Sequence, residues 1–257
     1  MFIIEASKLT KVYKNKTRSL TDVTLNVKKG SITGLIGENG AGKSTFINIL
    51  TSLISKSSGT ISLFGKELNE KNSFFIKKEI GFVGSQIIAY EHLNVLEYWK
   101  FISRIYKTNA NDIDNRIEEL LDILELGTSK KKLMRDFSKG MKQKALLGGA
   151  LIHNPSLLIL DEPLDGIDPP SRIIINNILK QFNKNGVTIL ISSHDCSLIE
   201  DICTDIIVIR EGKIAFNDSA KNMHTKYAGL SLEGIFIKLT NKEDTLNKKL
   251  SWGGKNV

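Results

Sequence analysis

Gly37-Glu38-Asn39-Gly40-Ala41-Gly42-Lys43-Ser44-Thr45 fits the pattern GxxxxGK[ST], and its flanks are the ones that pattern needs. Ser31-Ile32-Thr33-Gly34-Leu35-Ile36 before it reads as a short apolar strand. Thr45-Phe46-Ile47-Asn48-Ile49-Leu50 after it starts a helix with apolar residues at helical spacing. The glycines let the backbone curl around a phosphate with its N–H groups turned inward, which a Cβ would obstruct. The helix N-terminus behind the loop adds unpaired donors and a positive dipole end. Lys43 has the reach for β- and γ-phosphates, and the Ser44 hydroxyl suits Mg²⁺. At average residue usage the pattern arises by chance in roughly one chain in a hundred at this length. A strand before it and a helix after it make chance rarer still, so the stretch predicts binding of a nucleoside triphosphate.

The 257 residues suffice for one large domain or two small ones. Charged residues are 25% and hydrophobic ones 41%, ordinary values for a soluble globular protein. No apolar run approaches the ~20 residues of a membrane helix. Met1-Phe2-Ile3-Ile4 is soon interrupted by Glu5 and Lys8, so it is no secretory signal, and a cytoplasmic location is expected. The net charge of +8 permits contact with nucleic acid or an anionic membrane face. It equally suits a phosphate-binding chain with a solvated Lys-rich surface, and Lys130-Lys131-Lys132 is read that way. Cys196 and Cys203 fall on a predicted helix, about 10 Å apart along its axis and beyond the reach of a disulfide. They are expected to be reduced core residues, and two cysteines make no thiolate metal cluster.

Residues 2–9, 22–27 and 31–36 read as strands, with a turn at Lys29-Gly30 between the last two. Further strands are predicted over 60–64 and 79–83. From about residue 92 to 153 the pattern becomes helical: 95–105, 113–126 and 140–152 carry apolar residues three and four apart. This block reads as a helical insertion in a sheet-based domain. Beyond it, 157–160, 187–191 and 205–210 are short, continuously apolar runs separated by helices, as a parallel sheet covered on both faces requires. The tail after about residue 241 is polar and Lys-rich, and it is expected to be mobile.

Leu157-Leu158-Ile159-Leu160-Asp161-Glu162-Pro163 ends a buried strand in two carboxylates. Asp161, at the strand's carboxyl end, suits Mg²⁺ through water. Glu162, turned away by the alternation of side chains, suits a general base for an attacking water. Phe137-Ser138-Lys139-Gly140-Met141-Lys142-Gln143-Lys144 opens a helix with a Ser, a Gly and basic residues, again an anion-binding arrangement. That turn lies in the helical insertion with no phosphate of its own to meet, which makes sense if the phosphate belongs to a second copy.

Together these stretches resemble the nucleotide-binding subunit of ABC transporters over roughly residues 2–240. Residues 37–45 match Walker A, and Asp161-Glu162 match Walker B with its glutamate. Ser138-Lys139-Gly140-Met141 looks like a variant of the LSGGQ signature, with Lys139 for Gly and Met141 for Gln. Gly166-Ile167-Asp168-Pro169 matches the D-loop, but Leu164 and Asp165 stand where Thr or Ser and Asn are usual, so Asp165 adds a charge near the dimer seam. Ser192-Ser193-His194-Asp195 matches the switch-histidine loop, and Gln86, preceded by Ser85 where Pro is usual, matches the Q-loop. Tyr13 occupies the position whose ring stacks on adenine.

The resemblance implies an α/β fold: a P-loop NTPase core with a mostly parallel sheet, an antiparallel β subdomain and a helical subdomain inserted at about 88–153. It implies ATP held by Tyr13, Gly37, Glu38, Asn39, Gly40, Ala41, Gly42, Lys43, Ser44, Thr45 and Gln86. Mg²⁺ would sit at Ser44, Gln86 and Asp161, with Glu162, His194 and Lys43 as the catalytic set. In a head-to-tail dimer with itself or a similar chain, Ser138, Lys139, Gly140 and Met141 would face the partner's ATP, with Asp168 at the seam. The dimer would drive a separate transmembrane permease from the inner face of the membrane, with nucleic acid an unfavoured partner. The Lys-Gly-Met variant and Leu232-Glu233-Gly234-Ile235-Phe236-Ile237-Lys238-Leu239-Thr240 resemble the class that exports drugs, peptides or lipid-like compounds. The alternatives are an importer subunit and a soluble ABC-type ATPase acting on nucleic acid or ribosomes. A small-molecule kinase or GTPase leaves Ser138–Gln143 and His194 unexplained.

Overall fold

The computed structural model of the chain describes residues 1–85 and 90–240. Strands β1 (Phe2–Val12) and β2 (Arg18–Lys28) pair antiparallel, from Phe2 opposite Lys28 to Val12 opposite Arg18. Along β2, Leu20, Val23, Leu25 and Val27 are buried while their neighbours face water, the pattern of a sheet with one wet side. Both strands outrun the expected 2–9 and 22–27, because their ends carry polar residues whose backbones still pair. Strand β3 (Ile32–Ile36) is wholly buried and leads through the glycine-rich loop into α1 (Lys43–Leu50). Strand β4 (Ser58–Leu63) then pairs antiparallel with β1, and the short β5 (Lys66–Glu67) completes a four-stranded antiparallel sheet.

Helix α2 (Ser73–Lys78) leads into β6 (Ile80–Val83), after which the helical insertion begins. Helix α3 (Val95–Ile105) opens with a capping box in which Asn94 and Glu97 bond each other's backbone N–H. Helix α4 (Ala110–Ile123) starts and stops three residues earlier than expected. Its buried successors Leu124 and Leu126 enter the core from a turn in which Glu125 takes φ 56°, so the apolar spacing runs on past the helix. Helix α5 (Lys139–Leu151) packs on α3 through fully buried Trp99, whose Nε1–H donates to the Ala145 carbonyl at 2.8 Å.

The remainder alternates: β7 (Leu157–Asp161), α6 (Pro169–Lys184), β8 (Thr188–Ser193), α7 (Cys196–Ile202) and β9 (Asp205–Arg210). Strand β10 (Lys213–Ser219), α8 (Ala220–Lys226) and α9 (Leu232–Leu239) follow. The second sheet has the order β10-β9-β3-β8-β7-β6, parallel throughout except for β10 at its edge. Alternate residues of its central strands feed two cores. Leu158, Leu160, Ile189 and Ile191 join the side of the helical insertion with α6, α7 and α9. Leu157, Ile159 and Leu190 join the side of α1 and the antiparallel sheet. Cys196 is half-buried and Cys203 buried, both are free, and burial pushes the Cys196 thiol up to about 11. Among the described residues no helix is long and apolar enough to cross a membrane.

Candidate active site

Parallel pairing of β3, β8 and β7 sets the site. Ile36 lies opposite Ser193 and Asp161 opposite Ser192, so the segments leaving these strands emerge side by side at the sheet's carboxyl edge. Gly42 caps α1 with φ 112°, and a Cβ there would lie 2.7 Å from the Ser19 carbonyl oxygen. No side chain caps α1, and its first turn holds no acid, so the helix itself leaves the positive pole at its amino end open to an anion. The Lys43 ammonium is 6% exposed and donates to the carbonyls of Gly37 at 2.7 Å and Glu38 at 3.3 Å. Ser44 is exposed one residue further on. Thr45 Oγ1 shares hydrogen bonds with Ser19 Oγ at 2.8 Å and with the Tyr13 hydroxyl at 3.2 Å. The Tyr13 ring is thereby tied to the rim of the loop and left 38% exposed. Ser19, Glu38, Asn39, Gly40, Gly42, Lys43, Ser44, Thr45 and Glu162 line an open cavity of about 200 Å³.

Asp161 is almost wholly buried, and its Oδ1 accepts from Ser192 Oγ at 2.5 Å. Glu162 is turned by its backbone and not, as expected, by strand alternation: it follows β7 with φ 50°. Its N–H donates to the Ser192 carbonyl at 3.2 Å and to Ser192 Oγ at 3.0 Å, which fixes that conformation. The carboxylate then faces both neighbouring segments. Oε1 lies 3.4 Å from Lys43 Nζ, and Oε2 lies 2.9 Å from His194 Nδ1 and 3.3 Å from the His194 N–H. A carboxylate at Nδ1 requires a proton there, which leaves Nε2 on a half-exposed ring.

The Ser138 turn makes its contacts elsewhere. Ser138 caps α5 by accepting from the Met141 N–H at 3.2 Å. Gly140 is buried, and a Cβ on it would lie 2.8 Å from Asp168 Oδ1. Asp168 caps α6 through the Ser171 N–H at 3.0 Å, and bonds from Ser171 hold its carboxyl below the usual carboxylate range. Lys139 Nζ stands 3.6 Å from Asp165 Oδ2, so the charge that Asp165 adds has a partner within its own chain. Gln86 lies outside the described residues. The contacts of three residues of this region escape a sequence reading. Ser19 lies on a distant strand, Ser192 acts only through the β7–β8 register, and Arg172 reaches two loops at once.

Residues 20–165 match the family model described as ABC transporter. The chain belongs to the ABC transporter family. The bacitracin transport ATP-binding protein BcrA of Bacillus licheniformis is 39% identical over 241 residues, 90% of this chain and 75% of its own. The lantibiotic transport ATP-binding protein SrtF of Streptococcus pyogenes is 35% identical over 224 residues, 86% and 94% of the two chains. The ABC transporter cassette MJ0796, solved as a dimer, superposes with a TM-score of 0.76 at 26% identity, covering 84% of this chain and 98% of that one. This ABC chain is thus an ATP-binding, ATP-hydrolysing transporter subunit with the expected α/β cassette fold.

Proposed function

We propose that this ABC subunit hydrolyses ATP at the Lys43–Glu162–His194 cluster, within a head-to-tail dimer that powers a separate membrane permease. One observation carries the reading: Glu162 meets a lysine from the glycine-rich loop and a histidine from the neighbouring strand end, at 3.4 and 2.9 Å. The backbone N–H groups of 37–42 and the start of α1 cradle the phosphates, and the exposed Tyr13 ring stacks on adenine. Glu162 orients a water in line with the γ-phosphoryl group and takes its proton. Lys43 and His194 hold the charge that spreads over the transferring group.

The oxygen donors suit Mg²⁺: an exposed Ser44 hydroxyl in the first turn of α1, and a buried Asp161 carboxylate steadied at Oδ1 by Ser192. Mg²⁺ takes one or two such protein oxygens beside phosphates and water. Bound there it would neutralise phosphate charge. Gln86 belongs to the same proposed set.

Ser138, Lys139, Gly140 and Met141 face the ATP of the partner, an identical or similar chain, with Asp168 at the seam. The dimeric MJ0796 cassette and the single copy of each motif support this. Export of a peptide, antibiotic or lipid-like compound from the inner membrane face is favoured by the Lys-Gly-Met variant, the 232–240 helix and the bacitracin and lantibiotic relatives. Glu162→Gln is expected to lower turnover about 100-fold or more and to leave an ATP–Mg²⁺-dependent dimer on size exclusion. A variant that stays monomeric sinks the dimer, and one that keeps its turnover removes Glu162 from the chemistry. Tagged chain taken gently from its host's membranes should carry a stoichiometric multi-spanning protein; ribosomal partners in its place would overturn the transporter role.

A further inference from the structure

We infer that Arg172 is a positioning residue that ties the 165–168 loop to the segment carrying His194, and so couples the seating of the partner subunit to the catalytic geometry. The inference rests on the dimer reading above. Arg172 stands in the first turn of α6, behind the Asp168 cap. Its guanidinium works at both ends: Nε–H donates to the Ile167 carbonyl at 3.0 Å, and Nη1–H donates to Asp195 Oδ2 at 3.1 Å. A planar fork with fixed donor directions transmits displacement in a way that a flexible ammonium does not.

The receiving end is equally constrained. Asp195 Oδ1 caps α7, accepting from the Ser197 N–H at 3.0 Å, Ser197 Oγ at 2.6 Å and the Leu198 N–H at 3.4 Å. The Asp195 N–H donates to Ser193 Oγ at 2.9 Å. His194 is therefore held between two pinned neighbours, with its own N–H and Nδ1 on Glu162 Oε2. At the sending end, Asp168 packs against Gly140 and Asp165 pairs with Lys139, so the loop moves with the turn that faces the partner's nucleotide. A continuous set of contacts runs from that turn through Ile167, Arg172 and Asp195 to His194 and Glu162. Arg172 is the one side chain in it that bonds both loops.

The test uses the purified full chain, reading ATP turnover against ATP concentration, fluorescent ATP binding and thermal unfolding for Arg172→Met, Asp195→Asn and the double variant. Asn keeps the helix cap while removing the charge that Arg172 meets. Each single change should lower kcat about 10- to 100-fold, the range that misplacement of a catalytic group produces. KM and fluorescent ATP affinity should stay within about twofold, and the Hill coefficient should fall toward 1. The double variant should be no slower than the worse single one, because both cut the same link. Arg172→Lys should not restore turnover. Near-normal rate and cooperativity in Arg172→Met would overturn the inference, as would losses that multiply in the double variant. If Arg172→Met fails to fold, Asp195→Asn reads the same link alone. A wild-type chain that hydrolyses ATP only as a monomer overturns the dimer reading; a cooperative wild type beside an unaffected Arg172→Met overturns only the link.

Discussion

His153 is a half-buried imidazole that the phosphate chemistry does not use. It stacks on Tyr106 with ring centroids 3.7 Å apart, and its Nε2 lies 3.2 Å from the Ile80 carbonyl oxygen. A carbonyl accepts only, so Nε2 carries the proton; Nδ1 is buried with no partner among the described residues, and the ring is neutral. Burial is the main cause that pushes its pKa down to about 4 from 6.5. The unfolded chain takes up a proton near pH 6.5 that the folded chain refuses until about pH 4. Stability from this residue is therefore complete above pH 6.5 and falls as pH drops through that window, by up to about 3 kcal/mol at 1.36 kcal/mol per unit. His153→Phe keeps a ring against Tyr106 and removes the titration. Urea unfolding at a series of pH values should show a shallower slope between pH 6.5 and 4 in this variant. An unchanged slope would place the acid sensitivity in other groups.

At the level of elements, the seat of the Ser138 turn depends on how closely α3 and α5 approach. A Cβ on Gly148 would lie 2.3 Å from the Trp99 ring, which is fully buried and cannot step aside. Gly148→Ala gains about 1 kcal/mol of helix propensity, but overpacking costs about 1–3 kcal/mol and strains the Trp99–Ala145 hydrogen bond. The net expectation is a loss of up to about 2 kcal/mol in urea unfolding. Gly127→Ala, where a Cβ meets nothing within 4 Å, should stay within about 0.5 kcal/mol. A Gly148→Ala chain as stable as Gly127→Ala would show that α3 yields. Elements with a strong apolar rhythm are legible in the sequence: 95–105 and 205–210 fold where their patterns put them. Strand β10 is not, because an edge strand with half-buried residues carries no apolar run. Nor are α2 and α8, which bury one side chain each. The same division runs through the site. Lys43, Asp161, Glu162 and His194 are legible because phosphate chemistry fixes residue type and local spacing. Ser192 and Arg172 are not, since their roles exist only once β7 and β8 are in register and two loops have met.

Across the whole molecule, the phosphate loop and the Ser138 turn are rooted in different cores of one sheet. Phe46, Ile47 and Leu50 of α1 lie in the core beneath the antiparallel sheet, whereas Ala145, Leu147 and Leu151 of α5 lie in the core beneath the helical insertion. Helices on opposite faces do not converge on one phosphate, and this favours a second chain as the source of the nucleotide that the turn meets. Ser138→Arg tests that division. It removes a helix cap worth about 1 kcal/mol and sets a bulky cation where the partner's phosphate would approach. In a Glu162→Gln background the expected result is fluorescent ATP binding within about twofold of the parent, with ATP-driven dimerisation lost. The cap's modest worth cannot itself abolish binding at a loop anchored in the other core, so only a seam contact explains loss of the dimer alone. If binding and dimerisation disappear together, the turn serves the fold of its own chain, and the sandwich arrangement falls with it.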